Sequence, residues 1–284
     1  MAFWRAQKSA QFAGRITTKH VLEGSERERW EAIEAVGHNL DAEWVGALVS
    51  VLGDPSPVLR WAAGVALSCS RPRNVLERLV AMASRGSVYQ RASVADALGM
   101  LGDPSAIAPL CAALKSRSEL VRWSAAEALA KLADERAVPA LIRALQDDSM
   151  WVRRGAAMAL GHAGSVSAVP ALLELLRHDV PLVRSAIALA LGRIGDTRAF
   201  DALLQLTHDS HPQVRRDAAR ALGMLGDERA QHRLQMLGAD ETQVFGQSVG
   251  AAAEWALAEI ERQKRRRVGW RRVFLNALTE RLLG

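Results

Sequence analysis

VRRGAAMALG (152–161) decides the fold, because the chain says nearly the same thing elsewhere. VRWSAAEALA stands at 121–130, VRSAIALALG at 183–192 and VRRDAARALG at 214–223. The arginine returns with a period of 31 residues, at Arg29, Arg60, Arg91, Arg122, Arg153, Arg184 and Arg215, and one more step lands on Gly246, where the phrase degrades. Six residues after each of these eight positions stands alanine: Ala35, Ala66, Ala97, Ala128, Ala159, Ala190, Ala221 and Ala252. The next position is apolar in all eight: Val36, Leu67, Leu98, Leu129, Leu160, Leu191, Leu222 and Ala253. Self-similarity at a period of about 20–50 residues is the signature of a repeat array.

Each repeat reads as two helices. In the second, apolar residues at −1, +3, +7 and +10 from the arginine form a stripe at helical spacing. The first carries its own stripe, as in Leu110/Leu114, Leu141/Leu145 and Leu172/Leu176. It opens with Asp41, Asp103, Asp134, Ser165, Asp196 or Asp227, short side chains that accept hydrogen bonds from free backbone N–H groups. Glycine precedes four of these caps, which suits the left-handed turn ending the preceding helix. Small residues at +3, +4 and +6 let neighbouring helices approach closely. One copy departs from the pattern: position 72 is Pro and Gln90 replaces the apolar residue before Arg91, so repeat three is expected to be looser or bent.

GDPSAIAPLCAALKSRSELVRWSAAEALAKL (102–132) and its neighbours resemble HEAT repeats, of the short type first associated with phycobilisome lyases. The resemblance covers about residues 10–260. It implies an all-α fold, a right-handed α-solenoid of about eight 31-residue helix-turn-helix units. It implies little about chemistry, because scaffolds, bilin lyases, a di-iron hydroxylase and DNA-repair proteins share this repeat. The unbroken period predicts one elongated array over 1–260, followed by a basic amphipathic helix or cap over 261–284.

Composition narrows the classes. No stretch of about 18 apolar residues exists to span a bilayer, and MAFWRAQKSAQFAGR lacks the apolar run of a secretory signal. Cys69 and Cys111 lie in different repeats and point to a reducing compartment, so the expectation is a cytoplasmic protein, with peripheral membrane contact open to it. Residues 261–284 hold eight basic and two acidic side chains, which accounts for the whole net charge of +6. The array itself is neutral, which counts against nucleic acid as its partner.

The arginine row invites reading as a polyanion cradle. Six residues before each arginine, however, stands Glu23, Asp54, Arg85, Ser116, Asp147, His178 or Asp209. Most can accept its hydrogen bonds within or between repeats, so the row is expected to be a structural ladder. No metal or cofactor is expected. None of the seven histidines is followed by glutamate, the dyad used by the di-iron hydroxylase of similar repeats. His208 and His211, three apart with Asp209 between, offer too few ligands. No nucleophile elbow, P-loop or dinucleotide fingerprint occurs. Both cysteines are expected to be buried or half-buried small hydrophobes.

The outward columns +1, +5 and +9 of the second helices are expected to line the concave face. Column +1 carries Trp30, Trp61, Ala92, Trp123, Arg154, Ser185 and Arg216; +5 includes Glu127, Met158, Leu189 and Arg220; +9 includes His38, His162 and Arg193. Exposed tryptophans either seal this face or anchor a partner. Trp30, Trp61, Trp123, Trp151, Arg154, Met158, His162 and Arg193 are the candidate partner-binding residues, with Trp123, Trp151 and Met158 expected near one another. The predicted function is a non-enzymatic scaffold or adaptor holding a protein or peptide in the groove. Two alternatives are a bilin-lyase-like protein handling a tetrapyrrole and a nucleic-acid binder using Arg154, Arg193, Arg216 and Arg220 together with the basic tail. The basic tail, with Arg265, Arg266, Arg267, Trp270, Arg271 and Arg272, reads as a cap, an anchor on anionic lipid or a docking segment for a partner.

Overall fold

The computed structural model describes residues 16–36, 40–69, 73–176 and 180–283, with the backbone alone for 73, 74 and 267–283. His38, position 72 and His178 therefore lie outside the described residues, as do the side chains of Arg267, Trp270, Arg271 and Arg272. The chain is an all-α solenoid of paired helices. It divides into two compact units after Ala159.

In the first unit the second helices are Glu26–Ala35, Pro57–Cys69, Val88–Leu101, Glu119–Leu132 and the start of Met150–Ala163. In the second unit Pro181–Ile194, Pro212–Leu225 and Val249–Leu283 play this part. The first helices are shorter, as in Ile107–Ala113, Val138–Ala144, Val169–Leu175 and Phe200–Leu206. They begin one turn later than their caps suggest. Asp103, Asp134, Asp196 and Asp227 each cap a three-residue 3₁₀ turn that leads into the α-helix. Ser165 departs from the expectation: it makes no capping bond, and its hydroxyl pairs with that of Ser167 at 2.9 Å.

The preceding second helix ends left-handed wherever glycine stands before the cap, with φ of 72° at Gly102, 67° at Gly164, 74° at Gly195 and 69° at Gly226. Ala133 takes the same turn with φ of 51°, against the steric preference of its Cβ.

The −1, +3 and +7 positions are core. Val121, Val152, Val183 and Val214 are at most 1% exposed, as are Leu98, Leu129, Leu160, Leu191 and Leu222. Burying each such side chain contributes roughly 1.5–3 kcal/mol. The +10 position is half-buried in most repeats. Glycine at +8 brings successive second helices close together. A Cβ on Gly99 would lie 2.7 Å from Ala128 Cα, and one on Gly192 2.6 Å from Ala221 Cα, closer than atoms tolerate. Repeat three holds its core despite Gln90, which is half-buried, since Val94 and Leu98 are fully covered. Cys69 is exposed rather than covered, lying at the last turn of its helix, whereas Cys111 is half-buried.

The arginines form the expected ladder, with a division of labour the sequence left open. Within a repeat, Nη1 donates to main-chain oxygens six and five residues back, as from Arg122 to Ser116 and Arg117 and from Arg153 to Asp147 and Asp148. The carboxylate comes from the following repeat. Arg29 pairs with Asp54, Arg122 with Asp147, Arg184 with Asp209 and Arg215 with Asp240.

Repeat eight is corrected by four residues. A two-stranded antiparallel hairpin, Gln243–Val244 with Gln247–Ser248, precedes the last helix. Gly223 meets Ala256, the contact that Gly192 makes with Ala221, so Ala256 rather than Ala252 occupies column +6. Gly250, not Gly246, stands at the arginine position, and Trp255 moves to column +5. The last helix runs unbroken from Val249 to Leu283, so position 261 falls inside it.

Candidate functional site

The outward face of the second helices is not uniform. Column +1 interrupts its large residues with two small ones, and the small ones are hidden: Ala92 is 4% exposed and Ser185 3%. These two positions do not contribute the open surface that their column predicts. Column +5 is half-buried from Val65 to Arg220 and exposed at Glu34 and Trp255, and +9 is open at Cys69, Lys131, His162 and Arg193.

In the first unit four tryptophans meet in two pairs. Trp30 and Trp61 stack with centroids 6.2 Å apart and planes at 9°. Trp123 and Trp151 lie 6.1 Å apart, tilted at 46°. The second pair joins column +1 of one repeat to position −2 of the next. Trp61 remains 56% exposed, Trp151 41% and Trp123 37%, so pairing leaves more than a third of each of these residues open to solvent. Met158 follows Trp151 by seven residues on the same helix, which puts it on the same face about 10 Å along the axis.

Two candidate cations are already partnered. Arg154 Nη1 lies 3.2 Å from Glu127 Oε1. In the second unit Arg216 pairs with the buried Asp217 at 2.8 Å, Ser185 Oγ also donates to that carboxylate, and Gln213 Nε2 donates to Ser185 Oγ at 3.3 Å. Arg220 sits over the Trp255 ring at 5.9 Å. Three of the four arginines available for nucleic acid are thus engaged within the protein. His162 and Arg193 are exposed in the second unit.

Two features of this face were missed by the sequence reading. Phe245, at the tip of the hairpin, is 84% exposed with φ of 50°, and Arg216 lies 5.6 Å from its ring. The shift that creates the hairpin was visible in principle, since VGAAAEWALA (249–258) aligns without gaps on VRWSAAEALA (121–130). The other feature is Asp96. Burial pushes its carboxyl up to about 6, against the pull of Lys131 and of a hydrogen bond from Ser124 Oγ at 3.4 Å. Burial likewise raises the Cys111 thiol, which makes it a poor nucleophile.

No cluster of three metal-binding side chains occurs among the described residues. No helix among them is long and apolar enough to cross a membrane. In the tail, Arg265 and Arg266 are exposed. Just before them, Gln263 Nε2 donates to Gly223 and Met224 carbonyls, and Lys264 pairs with Glu228 at 2.8 Å.

Comparison with known proteins agrees with this architecture. The profile of HEAT repeats matches residues 76–161, 109–190, 144–218 and 169–258 in overlapping registers. No curated protein matches the chain in sequence. Among solved structures, YibA of E. coli is similar with a TM-score of 0.61 at 18% identity, over 92% of this chain and 96% of that one. A chain of the complex of CpcE and CpcF of phycocyanin lyase from Nostoc sp. PCC7120 matches with a TM-score of 0.50 at 22% identity, over 79% of this chain and 96% of its own. At these identities the likeness is one of fold. Period, paired helices, ladder and profile together place the chain in the HEAT-repeat family.

Proposed function

We propose that this chain is a non-enzymatic scaffold that holds a protein or peptide partner on the face of its second helices. The observation that carries the reading is the Trp123–Trp151 pair, two large rings in contact, each with more than a third of its surface open to water. Large apolar surface is normally hidden or used, and tryptophan and arginine are favoured interface anchors. Arg154 with Glu127, and Met158 farther along the helix, supply a polar and an adaptable apolar contact beside the rings. Trp30 and Trp61 extend the face, and His162 and Arg193 supply its counterpart in the second unit. The same reading makes the protein cytoplasmic and without cofactor, with Arg265 and Arg266 facing an anionic lipid surface or an acidic partner.

HEAT repeats suit this role because stacked units present an extended face of variable residues on an invariant core. The phycocyanin lyase in the comparison is itself described as a complex of two chains, which agrees with a protein partner for this one. The test is affinity purification from the native host, done in parallel with a Trp123→Ala/Trp151→Ala variant, with an absorption spectrum of each product. A protein retained by the natural chain, lost with the variant and free of visible absorption supports the scaffold. A visible band would favour tetrapyrrole handling, and retention by both chains would remove the tryptophan face from the account.

A further inference from the structure

Two consecutive rungs of the arginine ladder, both in the first unit, lack their carboxylate. On the intact rungs a carboxylate stands 25 residues after its arginine, as Asp147 does after Arg122. Twenty-five residues after Arg60 stands Arg85, and the same distance after Arg91 stands Ser116. Serine is shorter than aspartate by one carbon and one oxygen, and the Ser116 hydroxyl is turned to its own loop, accepting from Ser118 N at 3.2 Å. Arg91 Nε is buried and has no hydrogen-bond partner among the described residues. A buried donor left in this state is rare, because it forfeits its hydration for nothing in return.

The neighbourhood is cationic and apolar. Arg85 is exposed where the intact rungs hold an acid. Arg60 gives Nη1 to the Asp54 and Pro55 carbonyls and lies 5.1 Å over the ring of Tyr89. Tyr89 is 56% exposed, Val58 51% and Val88 39%. Asp54 is committed to Arg29, Glu119 accepts from Ser149 Oγ, and Asp96 lies beside Ser124 with its carboxyl raised by burial.

We propose that this edge binds an acidic polypeptide segment of a partner, with one of its side-chain carboxylates taking the place on Arg91 that Asp147 takes on Arg122. A planar carboxylate matches the Nε–Nη2 edge of a guanidinium, and the Arg122–Asp147 and Arg184–Asp209 rungs show that match. A polypeptide fits better than a free anion because Tyr89, Val58 and Val88 offer apolar surface to the residues flanking the acid. Arg85 and Arg60 supply the field that draws it in. The inference rests on the ladder and not on the tryptophan face, so either can fail alone.

The test is fluorescence anisotropy of a labelled short peptide of alternating glutamate and leucine, titrated with the full chain at low salt. Ser116→Asp completes the Arg91 rung from within and is expected to weaken binding by about tenfold or more while leaving the melting temperature equal or higher. Arg85→Asp completes the Arg60 rung at an exposed site and is expected to weaken it likewise, which decides the matter if Ser116→Asp does not fold. Ser167→Asp adds the same charge as Ser116→Asp in the other unit and is expected to change affinity by less than about twofold. Absence of binding by the natural chain overturns the proposal. So does binding unchanged by both rung variants, the result if the basic run 262–272 holds the peptide, or an equal loss with Ser167→Asp.

Discussion

Arg122 reaches across 25 residues to Asp147, with Nε 2.6 Å from Oδ2 and Nη2 2.9 Å from Oδ1, while its Nη1 holds the Ser116 carbonyl at 3.0 Å. One side chain thus closes its own interhelical loop and clamps the next repeat. Both partners are mostly covered, with side chains 16% and 11% exposed. Asp147→Asn keeps the shape and removes the charge, and is expected to cost about 1–3 kcal/mol in chemical denaturation. By contrast Arg136, which pairs with Asp134 in open solvent, is expected to be replaceable by Ala with no measurable change.

The last rung sets a pH limit. The Arg215 hydrogen bond holds the Asp240 carboxyl below its ordinary value. A carboxylate with a depressed folded pKa stabilises at and above its unfolded pKa of about 3.9, and that contribution is lost as pH falls through the folded value. Thermal unfolding of Asp240→Asn is therefore expected to show a deficit at neutral pH that shrinks as the natural chain is acidified below about pH 4. An unchanging deficit would remove charge from the account of this rung.

Small residues carry two opposite expectations. Gly192→Ala places a Cβ 2.6 Å from Ala221 Cα, backbone that cannot move aside cheaply. A loss of about 1–3 kcal/mol is expected by denaturant unfolding. Ala133→Gly should do the reverse, because Ala133 holds φ of 51° where four other repeats use glycine. A gain of about 0.5–1 kcal/mol is expected, from relief of left-handed strain offset by unfolded-chain entropy.

Asp96 has the opposite sign from the ladder acids. Its carboxyl is raised to about 6 by burial, so the folded chain binds a proton that the unfolded chain has released. Stability on this account falls as pH rises from about 4 to 6. Asp96→Asn keeps a hydrogen-bonding group for Ser124 and is expected to stabilise by up to about 3 kcal/mol near neutral pH, with the gain vanishing below about pH 4. Denaturant midpoints at the two ends of that window decide it, and an equal gain at both would mean that packing, not ionisation, is responsible.

The period, the helix pairs and the core stripe were legible because each depends on residue types repeated in register. The αL turns before the caps were legible for the same reason at Gly102, Gly164, Gly195 and Gly226. What the sequence could not yield were contacts between registers. The carboxylate for Arg29, Arg122, Arg184 and Arg215 comes from the next repeat, and a list of residues six positions back does not distinguish a side-chain acceptor from a main-chain one. The shift in repeat eight escaped because the 31-residue count was carried past Gly246 instead of being realigned on Val249. For the candidate site, helical spacing identified the tryptophan column but not its covering. Ala92 and Ser185 are buried by neighbours, and Arg154 is engaged by an acid from the repeat before it.

The central claim is that the half-exposed tryptophan pair anchors a partner, and calorimetric titration of the purified partner with Trp123→Ala/Trp151→Ala tests it most directly. Interface anchors commonly cost about 2 kcal/mol or more on truncation, and about 1.4 kcal/mol is a decade in affinity. The account expects binding weakened by more than about tenfold, with a cooperative melt retained because neither ring lies on the −1, +3, +7 stripe. Unchanged affinity in the folded variant, or loss of the melt itself, would contradict it, the first by placing the partner elsewhere and the second by showing that the rings belong to the core.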